Sequence, residues 1–305
     1  MGIDGFDGFD GFDMDAVITY VDGCDPYWLE DYSEAVGGSA IVKRYRDWGF
    51  LRFLFRGIEK HLPFIDKVHL VVSRDSQVPA WVDRERTDVV LHSDFIPHEY
   101  LPTFNSTTIE MFLHRIPGLS DRYIYFNDDT LPVADMAEDD FFLGDKCAIG
   151  FGKHMLATNQ YKKHVRNSDR IAREALGIGR RLFFVRAQHS CTPMIKSECE
   201  VLFEKMEGRI LSSLSPLRSD GNLNQYVFLD YLYYQGKAIS RRLPCKHFSL
   251  AASSVDRIVS YIDNPDGKVV CINDVRMPDE KFIKCRETLL SAMEKRYPVK
   301  SRFEL

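Results

Sequence analysis

The sequence predicts an α/β domain built on a mostly parallel central sheet. From Asp15 onward, short β-branched runs alternate with windows of helical periodicity, and two of the strands run directly into Asn-Asp pairs. The first strand covers Ala16 to Val21 and ends at Asp22-Gly23, where a turn is required. Over 49–61 the residues Leu51, Leu54, Phe55 and Ile58, with Leu62 just beyond, repeat at helical spacing; Arg52 and Arg56 form an i,i+4 pair on a different face. Val68 to Val72 is the second strand and Asp88 to Leu91 the third. Ser106 or Thr107 then caps a helix expected to run through Ile116, with Thr107 and Glu110 in capping-box spacing. The fourth strand, Tyr123 to Phe126, runs into Asn127-Asp128-Asp129. Beyond it the chain is more helical. Ile195, Cys199, Leu202, Phe203 and Met206 make one apolar stripe, and Phe282, Cys285, Leu289, Leu290 and Met293 make another. Leu223 to Tyr234 reads as a buried helix, and a strand from Lys268 to Ile272 delivers Asn273-Asp274. No low-complexity linker divides this region, so 14–305 is expected to be a single catalytic domain with helical insertions around 155–240.

Composition sets the limits. The 305 residues include 45 acids and 40 bases, a formal net charge of -5, and 45% are hydrophobic, enough for a full core and against global disorder. No run approaches the roughly 18 apolar residues of a membrane span, and the N-terminus lacks the basic and apolar regions of a secretory signal, so a cytoplasmic protein is expected. The seven cysteines are scattered without a Cys-x-x-Cys pair, which supports neither a disulfide framework nor a structural zinc site. Without a basic excess, nucleic acid is not an expected partner. Residues 1–13 stand apart: the Asp-Gly-Phe repeat places acids at Asp4, Asp7, Asp10 and Asp13 and lacks both the alternate spacing and the closing Glu of a calcium loop, so a disordered extension is expected. Taking those four acids from the 45 leaves 41 against 40 bases, so the acidity is mostly in the tail.

Chemistry is expected at the strand ends. In parallel α/β sheets ligands bind outside the carboxyl ends of the strands, where Asp128, Asp129, Asn273 and Asp274 would offer hard oxygens to Mg2+ or Mn2+ and a bound phosphate. Ordinary turn chemistry also explains an Asn-Asp pair, though adjacent carboxylates repel and a turn needs only one. His189 lies in a polar loop and can take a proton near neutral pH; Arg218 can hold a phosphate through its planar fork; each is also compatible with a plain surface role. The segment 101–106, ending in Asn105 and Ser106, precedes a helix N-terminus suited to an anion or a ligand hydroxyl, or is simply a turn plus a cap. Tyr226, Phe228, Tyr231, Tyr233 and Tyr234 are spaced as core rather than as a sugar-stacking face.

Taken together, these positions resemble the Stealth family of sugar-1-phosphate transferases, which includes bacterial capsular and exopolysaccharide phosphotransferases. The resemblance rests on Ile18-Thr19-Tyr20-Val21-Asp22-Gly23-Cys24-Asp25-Pro26, on a long block from Leu51-Arg52 through Leu101-Pro102-Thr103-Phe104-Asn105-Ser106 and His114-Arg115-Ile116-Pro117-Gly118 to Asn127-Asp128-Asp129, on a looser block around His189, Pro193 and Arg218-Ser219, and on Val270-Cys271-Ile272-Asn273-Asp274. It implies a Rossmann-like or GT-A-like nucleotide-sugar-binding core and transfer of a sugar-1-phosphate from a nucleotide-diphosphate sugar, a UDP-sugar foremost, to a hydroxyl of an oligosaccharide or polysaccharide, with peripheral contact at the inner membrane face. By the same resemblance His189 is the general base; Asp128, Asp129, Asn273 and Asp274 surround the magnesium; Arg218 and Arg52 hold the diphosphate; Asp22 contacts the nucleotide; and Asn105 and Ser106 orient sugar or acceptor. Three residues separate His189 from Pro193, where the family pattern has one. A metal-dependent glycosyltransferase that releases a nucleoside diphosphate would use much the same strand-end acids, whereas a non-catalytic carbohydrate-binding protein is disfavoured because the chain keeps a base candidate, a carboxylate cluster and an arginine together.

Overall fold

The computed structural model describes residues 13–37, 45–273 and 277–305; the repeat up to residue 12 and Asp274 lie outside them. The first half runs β1 (Met14–Thr19), α1 (Pro26–Val36), α2 (Leu51–His61), β2 (Val68–Val72), β3 (Asp88–Leu91), α3 (His92–Phe95), α4 (Ser106–Glu110), β4 (Arg122–Asn127) and β5 (Thr130–Pro132). Then come β6 (Phe142–Leu143), β7 (Lys146–Ala148), β8 (Phe151–His154), α5 (Gln160–Ala175), β9 (Phe184–Ala187), β10 (Thr192–Ile195), α6 (Lys196–Leu211) and α7 (Tyr226–Gln235). The chain closes with β11 (Ala238–Ile239), β12 (Cys245–Ser249), α8 (Val255–Asp263), β13 (Val269–Asn273) and α9 (Asp279–Arg296).

The α/β architecture is the expected one. The central sheet has the order β10-β4-β1-β2-β3, with β4, β1, β2 and β3 parallel and β10 antiparallel at the edge. Its inner strands read as near-continuous apolar runs because both faces are covered. Alternation sends Ala16, Ile18, Leu70, Val72, Ile124 and Phe126 into one core with α2, α8 and α9, and Val17, Val71, Tyr123 and Tyr125 into a second core with α5, α6 and α7. The order reverses between β1 and β4, which opens a crevice at their carboxyl ends. Immediately beyond β4 the chain enters β5, the edge of a second sheet ordered β12-β13-β5 in which β5 is antiparallel to β13. The close approach of α2 steadies β5: a Cβ on Gly57 would stand 3.0 Å from the Pro132 carbonyl.

Three local expectations change. The helix after 105 spans only Ser106–Glu110, capped by neither Ser106 nor Thr107: Asn105 Oδ1 accepts from the Thr107 amide (3.2 Å) and Thr107 Oγ1 (2.8 Å). Glu110 does not close a capping box but accepts instead from the Gln225 amide, so a distant segment outcompetes the local pattern. Arg52 and Arg56 face the C-terminal segment rather than the crevice. Arg52 lies over the Trp81 ring (5.1 Å) and 3.4 Å from Glu304, while Arg56 is buried against Glu304 and Glu294. Finally, α1 and α5 escape apolar periodicity: α1 buries only Trp28, and α5 buries His164, Ser168, Asp169 and Arg173 along with its apolar residues.

Candidate active site

A cavity of about 1030 Å³ opens over the carboxyl ends of β1 and β4 and reaches β12 and β13. At its floor Tyr125 donates to Asn127 Oδ1 (3.1 Å) and lies 3.0 Å from Thr19 Oγ1, tying the two strand ends together across the order reversal. Asn127, Asp128 and Asp129 line the cavity, and so does Asn273 at the end of β13. Asp129 Oδ1 accepts from Thr130 Oγ1 (3.1 Å), and Cys271 Sγ approaches Oδ2 at 3.6 Å. The chain therefore brings Asp128, Asp129 and Asn273 to the lining of one cavity, and their oxygen donors are of the chemistry that fits Mg2+ or Mn2+.

His189 reaches the same cavity from the loop between β9 and β10. Its Nδ1 lies 3.3 Å from the Tyr226 hydroxyl, which accepts from Tyr161 (3.2 Å), and its ring stacks against His247 with centroids 5.8 Å apart. Tyr226 thus belongs both to the α7 core and, through its hydroxyl, to the cavity wall, a double role that helical spacing alone does not reveal. Arg218 enters from the 213–222 loop and donates to Ser106 Oγ (2.7 Å); both line the cavity.

Two other expected residues stand elsewhere. Asn105 is fully buried, and its amide donates to Ser215 O (3.1 Å) and Asn222 Oδ1 (3.2 Å). Asn222 in turn donates to Ser213 O and Ser215 Oγ and accepts from the Ser219 amide. Asn105 therefore fastens the loop that presents Arg218; its donors are committed to protein, not to a sugar. Tyr20 and Val21 line the cavity where Asp22 was expected to; the Asp22 carboxylate accepts from the Cys24 amide (2.8 Å). Burial, followed by the charges of Asp47, Asp22 and Asp128, pushes the Tyr20 hydroxyl far above its usual range.

The cavity also holds groups that the sequence did not single out for function. Arg186 and Arg242 supply cationic character that Arg52 does not, and Asp47, with its pKa raised by burial, adds a carboxylate. Arg186 is the penultimate residue of β9, in an antiparallel pair with β8 to which the strand-end rule for parallel sheets does not apply. Glu110 is the most perturbed of these acids. Burial raises it to about 7, against the opposing pull of the Gln225 amide, Arg218 and Ser106. Because the folded state keeps the Glu110 proton where the unfolded chain loses it, its contribution to stability is present at low pH and is lost as pH rises through about 7. Glu110→Gln is therefore expected to gain on the parent between pH 5 and pH 8 by up to about 3 kcal/mol. Denaturant unfolding of both proteins at several pH values checks this; parallel stability curves would refute it.

The chain is similar in sequence to known proteins. Residues 44–149 match the description "Stealth protein CR2, conserved region 2". The chain is 30% identical to a capsular polysaccharide phosphotransferase of Streptococcus pneumoniae, covering 96% of this chain and 99% of that one. It is 31% identical, with the same coverage, to a receptor polysaccharide phosphotransferase of Streptococcus oralis. A solved galactosyltransferase, LgtC in complex with donor and acceptor sugar analogs, superposes over 90% of this chain and 95% of its own with a TM-score of 0.41 and 11% identity. The protein is an enzyme, a phosphotransferase, and not a non-catalytic carbohydrate-binding module. The chain belongs to the Stealth family.

Proposed function

We propose that this enzyme transfers a sugar-1-phosphate from a nucleotide-diphosphate sugar to a glycan hydroxyl in capsular or exopolysaccharide synthesis. The observation that carries the reading is the convergence of His189, Arg218 and the Asp128-Asp129 pair on one cavity from three separate segments. Phosphoryl transfer needs little beyond positioning and charge neutralisation, which a base, an arginine and paired carboxylates supply. In this reading His189 removes the proton of the acceptor hydroxyl as its oxygen attacks the phosphorus that bears the sugar. The bond from that phosphorus to the bridging oxygen breaks, and a nucleoside monophosphate leaves. Arg218, held by Ser106, neutralises the diphosphate, with Arg186 and Arg242 in support. Asp128, Asp129 and Asn273 would hold Mg2+ or Mn2+, which supplies further charge neutralisation when bound; Asp274 follows Asn273 in sequence. A UDP-sugar is the proposed donor and an oligosaccharide or growing polysaccharide the acceptor, with the enzyme on the cytoplasmic side in peripheral contact with the inner membrane face.

Incubation with a panel of nucleotide-sugars, magnesium and glycan acceptors, followed by identification of the spent nucleotide, tests this. A nucleoside monophosphate with a new phosphodiester in the glycan is expected. A nucleoside diphosphate would signify attack at the sugar carbon and replace the proposal with a glycosyltransferase.

A further inference from the structure

Beside the oxygen donors that suit magnesium lies a second donor set of different chemistry: Asp129 and His189 line the cavity, and Cys271 is buried behind Asp129. One ligand atom each from Asp129, His189 and Cys271 falls within 4.8 Å of the others. The fold builds this convergence from three places: Asp129 immediately before β5, His189 between β9 and β10, and Cys271 in β13. Strand pairing adds more nitrogen and sulfur at the border. His247 stands directly across from Cys271 in the parallel β12-β13 ladder, and Cys245, two residues earlier on the same face of β12, puts its sulfur 3.6 Å from His247 Nε2. The ring of His247 stacks on that of His189. Nothing in phosphoryl transfer calls for a thiol here: Cys271 is buried, and its polar contact is with Asp129 Oδ2.

Donor type discriminates between metals. Magnesium takes oxygen and retains water, whereas imidazole and thiolate select zinc and its neighbours, and a three-ligand site with a vacant fourth position is the open form of zinc coordination. We propose that Asp129, His189 and Cys271 form a binding site for a thiophilic divalent cation of the zinc class, separate in chemistry from the magnesium set but sharing Asp129 with it. A zinc-class ion therefore takes Asp129 from the magnesium set, whereas magnesium, which has little affinity for thiolate or imidazole, does not dislodge it. A zinc ion on this site also takes up the His189 nitrogen lone pair, which the transfer reading assigns to the acceptor proton, so zinc inhibits transfer by occupying the base; that consequence rests on the proposed function, whereas the binding itself does not.

Cobalt(II) provides a readout independent of activity, because a cysteine ligand gives a thiolate-to-cobalt charge-transfer band in the near ultraviolet. Titration of the metal-stripped protein with cobalt(II) is expected to produce that band, which excess magnesium fails to remove and zinc bleaches. Cys24→Ser, at an exposed position away from the cavity, is expected to keep the band and Cys271→Ser to lose it. Since a substitution inside β13 can disturb the fold, His189→Gln is the second variant, with cobalt affinity expected to fall at least tenfold while the circular dichroism spectrum is unchanged. A parent protein without the band, a band that survives Cys271→Ser, or one displaced by magnesium overturns the site. If cobalt binds as described and zinc leaves transfer untouched, the site stands and the assignment of His189 as base fails.

Discussion

Replacing His189 by alanine is expected to lower the rate of transfer by about 100-fold to 10,000-fold, the range for removing a general base, with little change in the apparent affinity for donor. Geometry gives the reason for a loss in turnover rather than in binding. His189 is anchored through Nδ1 to Tyr226 (3.3 Å), while the candidate diphosphate contacts, Arg218, Arg186 and Arg242, come from other positions on the cavity. Steady-state kinetics at varied donor concentration checks both halves of the expectation. A loss smaller than about 100-fold, or a rise in donor KM that accounts for all of it, would move His189 from proton transfer to binding. Tyr226→Phe supplies a graded companion: it keeps the aromatic packing of α7 and deletes the hydroxyl that lies 3.3 Å from the histidine. It should cost less than His189→Ala and act on kcat.

How much of this could be read from the chain depends on which forces fixed each element. The parallel strands were legible because burial on both faces writes them as apolar runs: β2 and β3 have the expected ends, and β1 and β4 differ from expectation by at most two residues at each end. The strand-end rule pointed to Asp128, Asp129 and Asn273, and all three line the cavity, because their position follows from topology. Failures came where tertiary partners override local pattern. Thr107 and Glu110 have capping-box spacing, yet Asn105 makes the cap and Glu110 serves a segment 115 positions away. Asn105 looked available to a ligand because the residues that consume its amide, Ser215 and Asn222, lie more than a hundred positions downstream. Arg186, Arg242, His247 and Asp47 share the cavity but carry no common spacing, so no local rule groups them. The cysteines illustrate the same limit: scattered in sequence, Cys245 and Cys271 become near neighbours only through the pairing of β12 with β13.

The clearest reversal, Arg52, leads through its neighbour Arg56 to the second large effect, on stability and away from the cavity. Arg56→Ala is expected to destabilise the protein by about 3–5 kcal/mol, the usual loss when one partner of a buried ion pair is removed. Arg56 is 6% exposed and grips Glu304 with both ends of its guanidinium, Nε to Oε1 at 2.7 Å and Nη2 to Oε2 at 2.9 Å, while Nη1 donates to the Tyr297 carbonyl (2.5 Å) and to Glu294. The Glu304 side chain is only 2% exposed and cannot turn to water when its partner goes; Ser301 and the more distant Arg52 Nε, 3.4 Å away, would be left to hold it. Most of the loss therefore comes from a stranded carboxylate rather than from the missing attraction. Arg56→Met combined with Glu304→Leu should regain most of the stability, since a matched apolar pair removes both desolvation costs. Arg52→Ala should cost about 1 kcal/mol or less, because its side chain is 40% exposed, and should leave donor KM unchanged. Denaturant unfolding measures the three stabilities, and kinetics at a temperature where all are folded measures KM. A rise in donor KM for Arg52→Ala would return that arginine to the diphosphate, whereas stability lost in Arg56→Ala and not regained in the double variant would mean that the ion pair contributes more than charge compensation.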